Sequence, residues 1–88
     1  MQRERPRLKA RLARIRGQLD AVERAIDDDH DCGEVLQQIA AIRGAVAGLM
    51  GEVVEGHVRE HVAGARVSAA DRERAADELV EVLRRYLK

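Results

Sequence analysis

Along the first third of the chain, apolar residues recur at Leu8, Leu12, Ile15, Leu19, Val22 and Ile26, in steps of four, three, four, three and four. That spacing follows one face of an α-helix and predicts a narrow apolar stripe of coiled-coil type. Pro6 suits a place at or just before the first turn, and the acidic cluster Asp27–Asp31 predicts the loop that ends the helix. A second helix is predicted from about Gly33 to Val62, carrying Val35, Leu36, Ile39, Ile42, Val46, Leu49, Met50, Val53 and Val58 at helical spacing. Gly64 marks its end. Ser68-Ala69-Ala70-Asp71 then resembles a capping box with Asp in place of Glu. It opens a third helix with Leu79, Val80, Leu83 and Leu87 on its apolar face and Tyr86 near its end. The expectation is an all-α protein of three helices per chain.

The chain has 88 residues, with no Phe, no Trp and one Tyr. Residues 1–88 therefore read as a single domain, with a core of Leu, Val, Ile, Ala and Met that favours helix packing over a β-sandwich. Three helices of this size bury too little surface to stand alone, so self-association is expected. The middle of the second helix, Ala40-Ala41-Ile42-Arg43-Gly44-Ala45-Val46-Ala47-Gly48, is rich in small residues. Each glycine costs a helix about 1 kcal/mol relative to alanine, and Gly44, Gly48 and Gly51 together predict close approach of another backbone. One cysteine excludes an intrachain disulfide. The arginine-rich start lacks the apolar stretch of a signal peptide, and no apolar run approaches the ~20 residues that span a bilayer. A soluble cytoplasmic protein with no membrane partner is expected.

The formal net charge is zero, but it conceals a separation along the chain. Arg3, Arg5, Arg7, Lys9, Arg11, Arg14 and Arg16 face a single acid, Glu4, within residues 1–18. Residues 19–34 reverse the sign, with Asp20, Glu23, Asp27, Asp28, Asp29, Asp31 and Glu34 against Arg24. Arg7, Arg11 and Arg14, three and four apart, share a helix face. A basic helix face in a neutral protein is compatible with binding DNA.

Few residues can do specific chemistry: Cys32, His57 and His61, with His30 as an outlier. His57 and His61 are four apart, which projects both imidazoles from one helix face, a common way to supply two metal ligands. The 25 positions from Cys32 to His57 span about 37 Å of helix at ~1.5 Å per residue. The thiol and the imidazoles therefore cannot meet within one chain. An antiparallel pair of second helices about a two-fold axis brings each Cys32 to its partner's pair of histidines, with the crossing near residue 45, inside the small-residue stretch. A thiolate with two imidazoles suits Zn(II), Cu(I), Ni(II) or Co(II) rather than Mg or Ca, either three-coordinate or completed by His30, a backbone nitrogen or water. Asp31 and Glu34 place Cys32 at a polar helix entry, against the full burial common for cysteine. There is no glycine-rich phosphate loop and no Ser/His/Asp arrangement, so no enzyme is expected. A purely structural bundle would explain the apolar stripes but not a basic first helix joined to a symmetric Cys/His constellation.

The string Gln37-Gln38-Ile39-Ala40-Ala41-Ile42-Arg43-Gly44-Ala45-Val46-Ala47-Gly48-Leu49-Met50, followed by Glu52-Val53, His57 and His61, resembles the central helix of the CsoR/RcnR/FrmR repressors. Ile15-Arg16-Gly17-Gln18 and the closing Tyr86-Leu87-Lys88 extend the resemblance over nearly the whole chain. It implies an antiparallel helical-bundle dimer assembling into a homotetramer. Such an assembly represses transcription without a helix-turn-helix and releases operator DNA when its inducer binds. The family's metal site, a Cys opening the second helix with His and His or Cys from the other protomer, maps onto Cys32, His57 and His61. In copper-responsive members the position of His61 is usually Cys, in nickel- and cobalt-responsive members His, and in formaldehyde-responsive members a non-ligand. His61 therefore favours Ni(II) or Co(II), with Cu(I) or a formaldehyde response through Cys32 as alternatives. The chain departs from the nickel/cobalt pattern in having no histidine before His30, and from the formaldehyde pattern in having Gln2 rather than proline after Met1. The resemblance also points Arg11, Arg14 and Arg43 toward DNA, a surface that Arg7 and Lys9 extend.

Overall fold

The computed structural model describes residues 2–86; Leu87 and Lys88 lie outside them. Its described residues form three helices, α1 (Arg5–Asp27), α2 (Cys32–His57) and α3 (Ala69–Tyr86). A single π-helical turn, Val58–Val62, continues α2. The predicted second helix thus changes character at His57, where i→i+5 bonding takes over and Ala63 N–H reaches the Val58 carbonyl at 2.7 Å.

Local chemistry sets each boundary. Pro6 sits in the first turn of α1, where its missing N–H costs nothing. The helix closes in a Schellman turn: His30 N–H bonds Ala25 O at 2.9 Å and Asp29 N–H bonds Ile26 O at 3.1 Å. Asp29 holds φ at 57°, the left-handed position usually given to glycine. Asp31 then caps α2 by accepting from Gly33 N–H at 3.0 Å. Ser68 Oγ accepts from Asp71 N–H at 3.1 Å, the forward half of the expected capping box. The Asp71 carboxylate turns instead to Arg74, at 3.2 Å.

Gly64 ends the π turn for steric reasons and not through a positive φ. A Cβ there would lie 2.7 Å from the Glu60 carbonyl oxygen and 3.0 Å from Val67 Cγ2. Gly64→Ala should therefore destabilise the chain by about 1–3 kcal/mol, the range for forced overpacking. A urea melt with an unchanged midpoint would show that the loop yields freely.

α1 and α2 pack antiparallel, since Arg7 and Arg11 near the start of α1 reach Glu52 near the end of α2. Leu8, Ile15 and Ala25 are buried in this contact, with Arg11, Gln18 and Val22 half-buried between them. The expected apolar stripe of α1 therefore splits. Leu8, Ile15 and Val22 turn inward, whereas Leu12, Leu19 and Ile26 are 38%, 52% and 62% exposed. α2 is divided in the same way. Val35, Gln38, Ile42, Ala45, Leu49, Glu52 and Gly56, in alternating steps of three and four, form its half-buried to buried face. Leu36, Ile39 and Val46 stay exposed.

The molecule measures 55 × 29 × 13 Å, its thinnest dimension on the order of one helix width. A domain ordinarily buries its apolar faces between two layers. The described residues make one layer, whose buried apolar residues are Leu8, Ile15, Ala25 and Ala75. Among them no helix is long and apolar enough to cross a membrane.

Candidate metal centre and nucleic-acid face

Cys32 is the first residue of α2 and His57 the last, so the helix itself holds them apart. The thiol is free and exposed, at the polar entry formed by Asp31 and Glu34. His30 Nδ1 pairs with Glu34 Oε2 at 3.2 Å beside it. Among the described residues of one chain, no three Cys, His, Asp or Glu side chains converge to hold a metal ion.

The two histidines do come together. Their ring centroids are 5.2 Å apart, tilted by 52°, across the start of the π turn. His57 Nε2 lies 2.9 Å from the carbonyl oxygen of Ala75, a buried residue of α3. A carbonyl only accepts, so Nε2 is the donor in this bond and Nδ1 is the ring nitrogen left to offer a lone pair to a metal. Such a bond fixes the orientation and tautomer of a metal-ligating histidine. His61 is exposed, with Nε2 3.5 Å from Glu60 Oε2. Both rings line an open cavity of about 570 Å³ together with Arg66, Asp71, Arg74 and Glu78. Two imidazoles, one already oriented, with room around them fit a transition-metal ion that receives a thiolate from elsewhere. The Ala75 carbonyl leaves no trace in the sequence, because any residue supplies one.

The arginines sort into distinct places. Arg7, Arg11 and Arg14 line one groove of about 540 Å³ with Gln18, over a floor of Ala41 and Ala45 and beside Glu52. Lys9 lies on the other side of α1, in a separate groove with Leu8, Leu12 and Leu49. Arg43 is exposed on α2, two positions and thus about 200° from both Ala41 and Ala45. Within one chain neither Lys9 nor Arg43 joins the arginine groove.

α1 has no acid in its first turn. Arginines at a helix N-terminus oppose the macrodipole, which favours negative charge there. Beyond the N-cap Glu4, the basic half of α1 is therefore an electrostatic cost to the helix.

Glu52 is the partner that the spacing of the arginines does not foretell. Its Oε1 accepts from Arg11 Nη2 at 2.8 Å and from Arg7 Nη2 at 3.3 Å. The Arg11 hydrogen bond is the main reason its carboxyl is held below the ordinary range, and the charges of Arg11 and Arg7 act in the same direction. The pairing is present above the ordinary carboxylate pKa and is lost as pH falls through the lowered one. Gly48 makes room for it. A Cβ on Gly48 would stand 2.7 Å from Arg11 Nη1, while nothing lies within 4 Å of one on Gly44 or Gly51. The approach of another backbone expected at these glycines is thus not made within the chain, where Gly48 meets a guanidinium instead. An acid set among apolar residues, four positions after a glycine, was the one available hint.

Comparison with known proteins agrees over almost the entire length. A family model described as metal-sensitive transcriptional repressor matches residues 4–85. The transcriptional repressor RcnR of Salmonella paratyphi B is 48% identical over 98% of this chain and 94% of its own. An uncharacterised protein in the bioA 5' region of Serratia marcescens is 52% identical over the same shares. Among solved structures, a histidine-for-glutamate variant of the formaldehyde-responsive regulator FrmR from Salmonella enterica serovar Typhimurium superposes with a TM-score of 0.89. It is 40% identical, over 98% of this chain and 97% of that one.

Proposed function

Because the chain belongs to the metal-sensitive transcriptional repressor family, we propose that it binds operator DNA as a homotetramer and releases it when a transition-metal ion is bound between subunits by Cys32, His57 and His61. Ni(II) or Co(II) is the favoured inducer. The observation that carries this reading is the placement of Cys32 and His57 at the two ends of one α2, on a chain only one layer thick.

The uncovered residues Leu12, Leu19, Ile26, Leu36, Ile39 and Val46 are the apolar surface a second copy would cover. Two antiparallel α2 helices crossing near residue 45 make two equivalent sites, each joining Cys32 to the partner's His57 and His61. A metal ion bound there supplies bonds that tie the start of one α2 to the end of the other. Cys32 offers a thiolate, and the Ala75 carbonyl holds the partner's His57 with Nδ1 free. His61 closes the set, and His30 beside Cys32 is a further donor within the same helix entry.

The arginine groove, with Arg43 and Lys9 on other faces, is the proposed DNA surface. Only a metal that prefers the DNA-free arrangement lowers operator affinity, which makes the effect allosteric.

A second reading, formaldehyde sensing, is favoured by the free exposed thiol of Cys32 and by the likeness to FrmR. One experiment separates the inducers: titration of an operator duplex, recovered by selection from a random pool, with Ni(II), Co(II), Cu(I), Zn(II) and formaldehyde. His61→Ala should abolish the metal response and spare a thiol-directed one. Release of DNA by this variant with every metal that works on the parent would remove His61 from the site.

A further inference from the structure

The arginine groove carries its own anion. Glu52, with its side chain 17% exposed, gives one carboxylate oxygen to both Arg7 and Arg11. The Arg7 side chain is 78% exposed, and an ion pair of that kind adds little to fold stability. Gly48 is the position that lets the Arg11 guanidinium lie across α2 toward Glu52. This arrangement spends an acid, and a glycine inside a helix, on neutralising charge in the surface the protein would offer to phosphate.

We propose that Glu52 is the internal counter-ion of the arginine groove, occupying Arg7 and Arg11 until a DNA phosphate displaces it and so holding down binding to DNA of any sequence. The inference rests on reading that groove as the DNA surface. A phosphate oxygen and the Glu52 carboxylate compete for the same guanidinium donors. The cost of displacement is the same at every site, because phosphates carry no sequence information. It therefore lowers operator and random binding by the same factor, and only a site that adds base or shape contacts keeps enough affinity to stay occupied. Held ionised by its arginines, Glu52 keeps this role at neutral pH.

The test uses the full chain and random-sequence duplex DNA, with fluorescence anisotropy over a range of salt. Glu52→Gln preserves shape and an acceptor oxygen but removes the charge. It should bind about tenfold tighter at ~0.1 M salt, with the logarithmic salt slope steeper by about 1 for each additional phosphate neutralised. Glu81→Gln, which makes the same change of net charge on α3 away from the groove, should leave binding near that of the parent. Parent-like affinity and slope in a Glu52→Gln protein of normal helicity would overturn the proposal. So would equal tightening by Glu81→Gln, since net charge would then explain both. Arg11→Ala tests the underlying reading: if it leaves DNA affinity unchanged, the groove is not the DNA surface. If it weakens binding while Glu52→Gln does nothing, the groove stands and only the counter-ion role falls.

Discussion

Cys32→Ala is expected to yield a folded oligomer that binds operator as tightly as the parent yet does not release it with any inducer. The thiol is exposed at the entry of α2 and contributes nothing to the buried residues, so its removal should leave packing intact. It lies at the opposite end of α2 from the start of the π turn, so no other cysteine or nearby histidine pair can replace it within the chain. Without the thiolate, half-buried His57 and exposed His61 are left with at most the His30 imidazole, and the site loses its one sulfur donor. A coupling between two sites disappears when one ligand no longer binds, whereas the affinity at the other site in its absence is untouched. Anisotropy titrations with and without each inducer, beside sedimentation of the apo-oligomer, check both halves. Full release from the variant by a metal that works on the parent would show that the switch does not use this cysteine. Protons compete with metal for thiolate and imidazole, so the parent's metal affinity should also fall on acidification.

Arg14→Ala should weaken operator binding by roughly ten- to a hundredfold at ~0.1 M salt, with a salt slope shallower by about 1 for each phosphate no longer neutralised, and leave metal affinity unchanged. Arg14 is the member of the groove without an ion pair to Glu52, so its guanidinium meets phosphate with no internal competitor. It is also exposed on α1, where truncation to alanine favours the helix. Weakened DNA binding therefore cannot be assigned to unfolding if the thermal melt is unchanged or raised. Unchanged DNA affinity would move the nucleic-acid surface away from this face, toward Arg43 or Lys9. Metal titration of the same variant checks that the two sites are separate, since the histidine cavity and the arginine groove share no lining residue.

Much of this molecule was determined by short-range pattern. Helix periodicity, the Asp31 and Ser68 caps, the acidic stop after α1 and the position of Gly64 are local, because they depend on bonds between residues a few places apart. The separation of Cys32 from His57 is likewise arithmetic, since a continuous helix has a fixed rise. The long central string carried the family.

Tertiary structure decided what local pattern could not. A stripe with coiled-coil spacing does not say which of its positions meet which neighbour, and only packing showed that Leu8 and Ile15 turn inward while Leu12, Leu19 and Ile26 remain uncovered. The three basic residues of one helix face were visible, but their counter-ion lies 41 positions from Arg11. Pairing over that distance depends on register between two helices, which the sequence leaves open. The same holds for the carbonyl that orients His57, 18 positions away on α3. Gly48 shows the difference most directly: its pattern predicts the approach of another backbone, and within the chain the fold places the Arg11 guanidinium there instead.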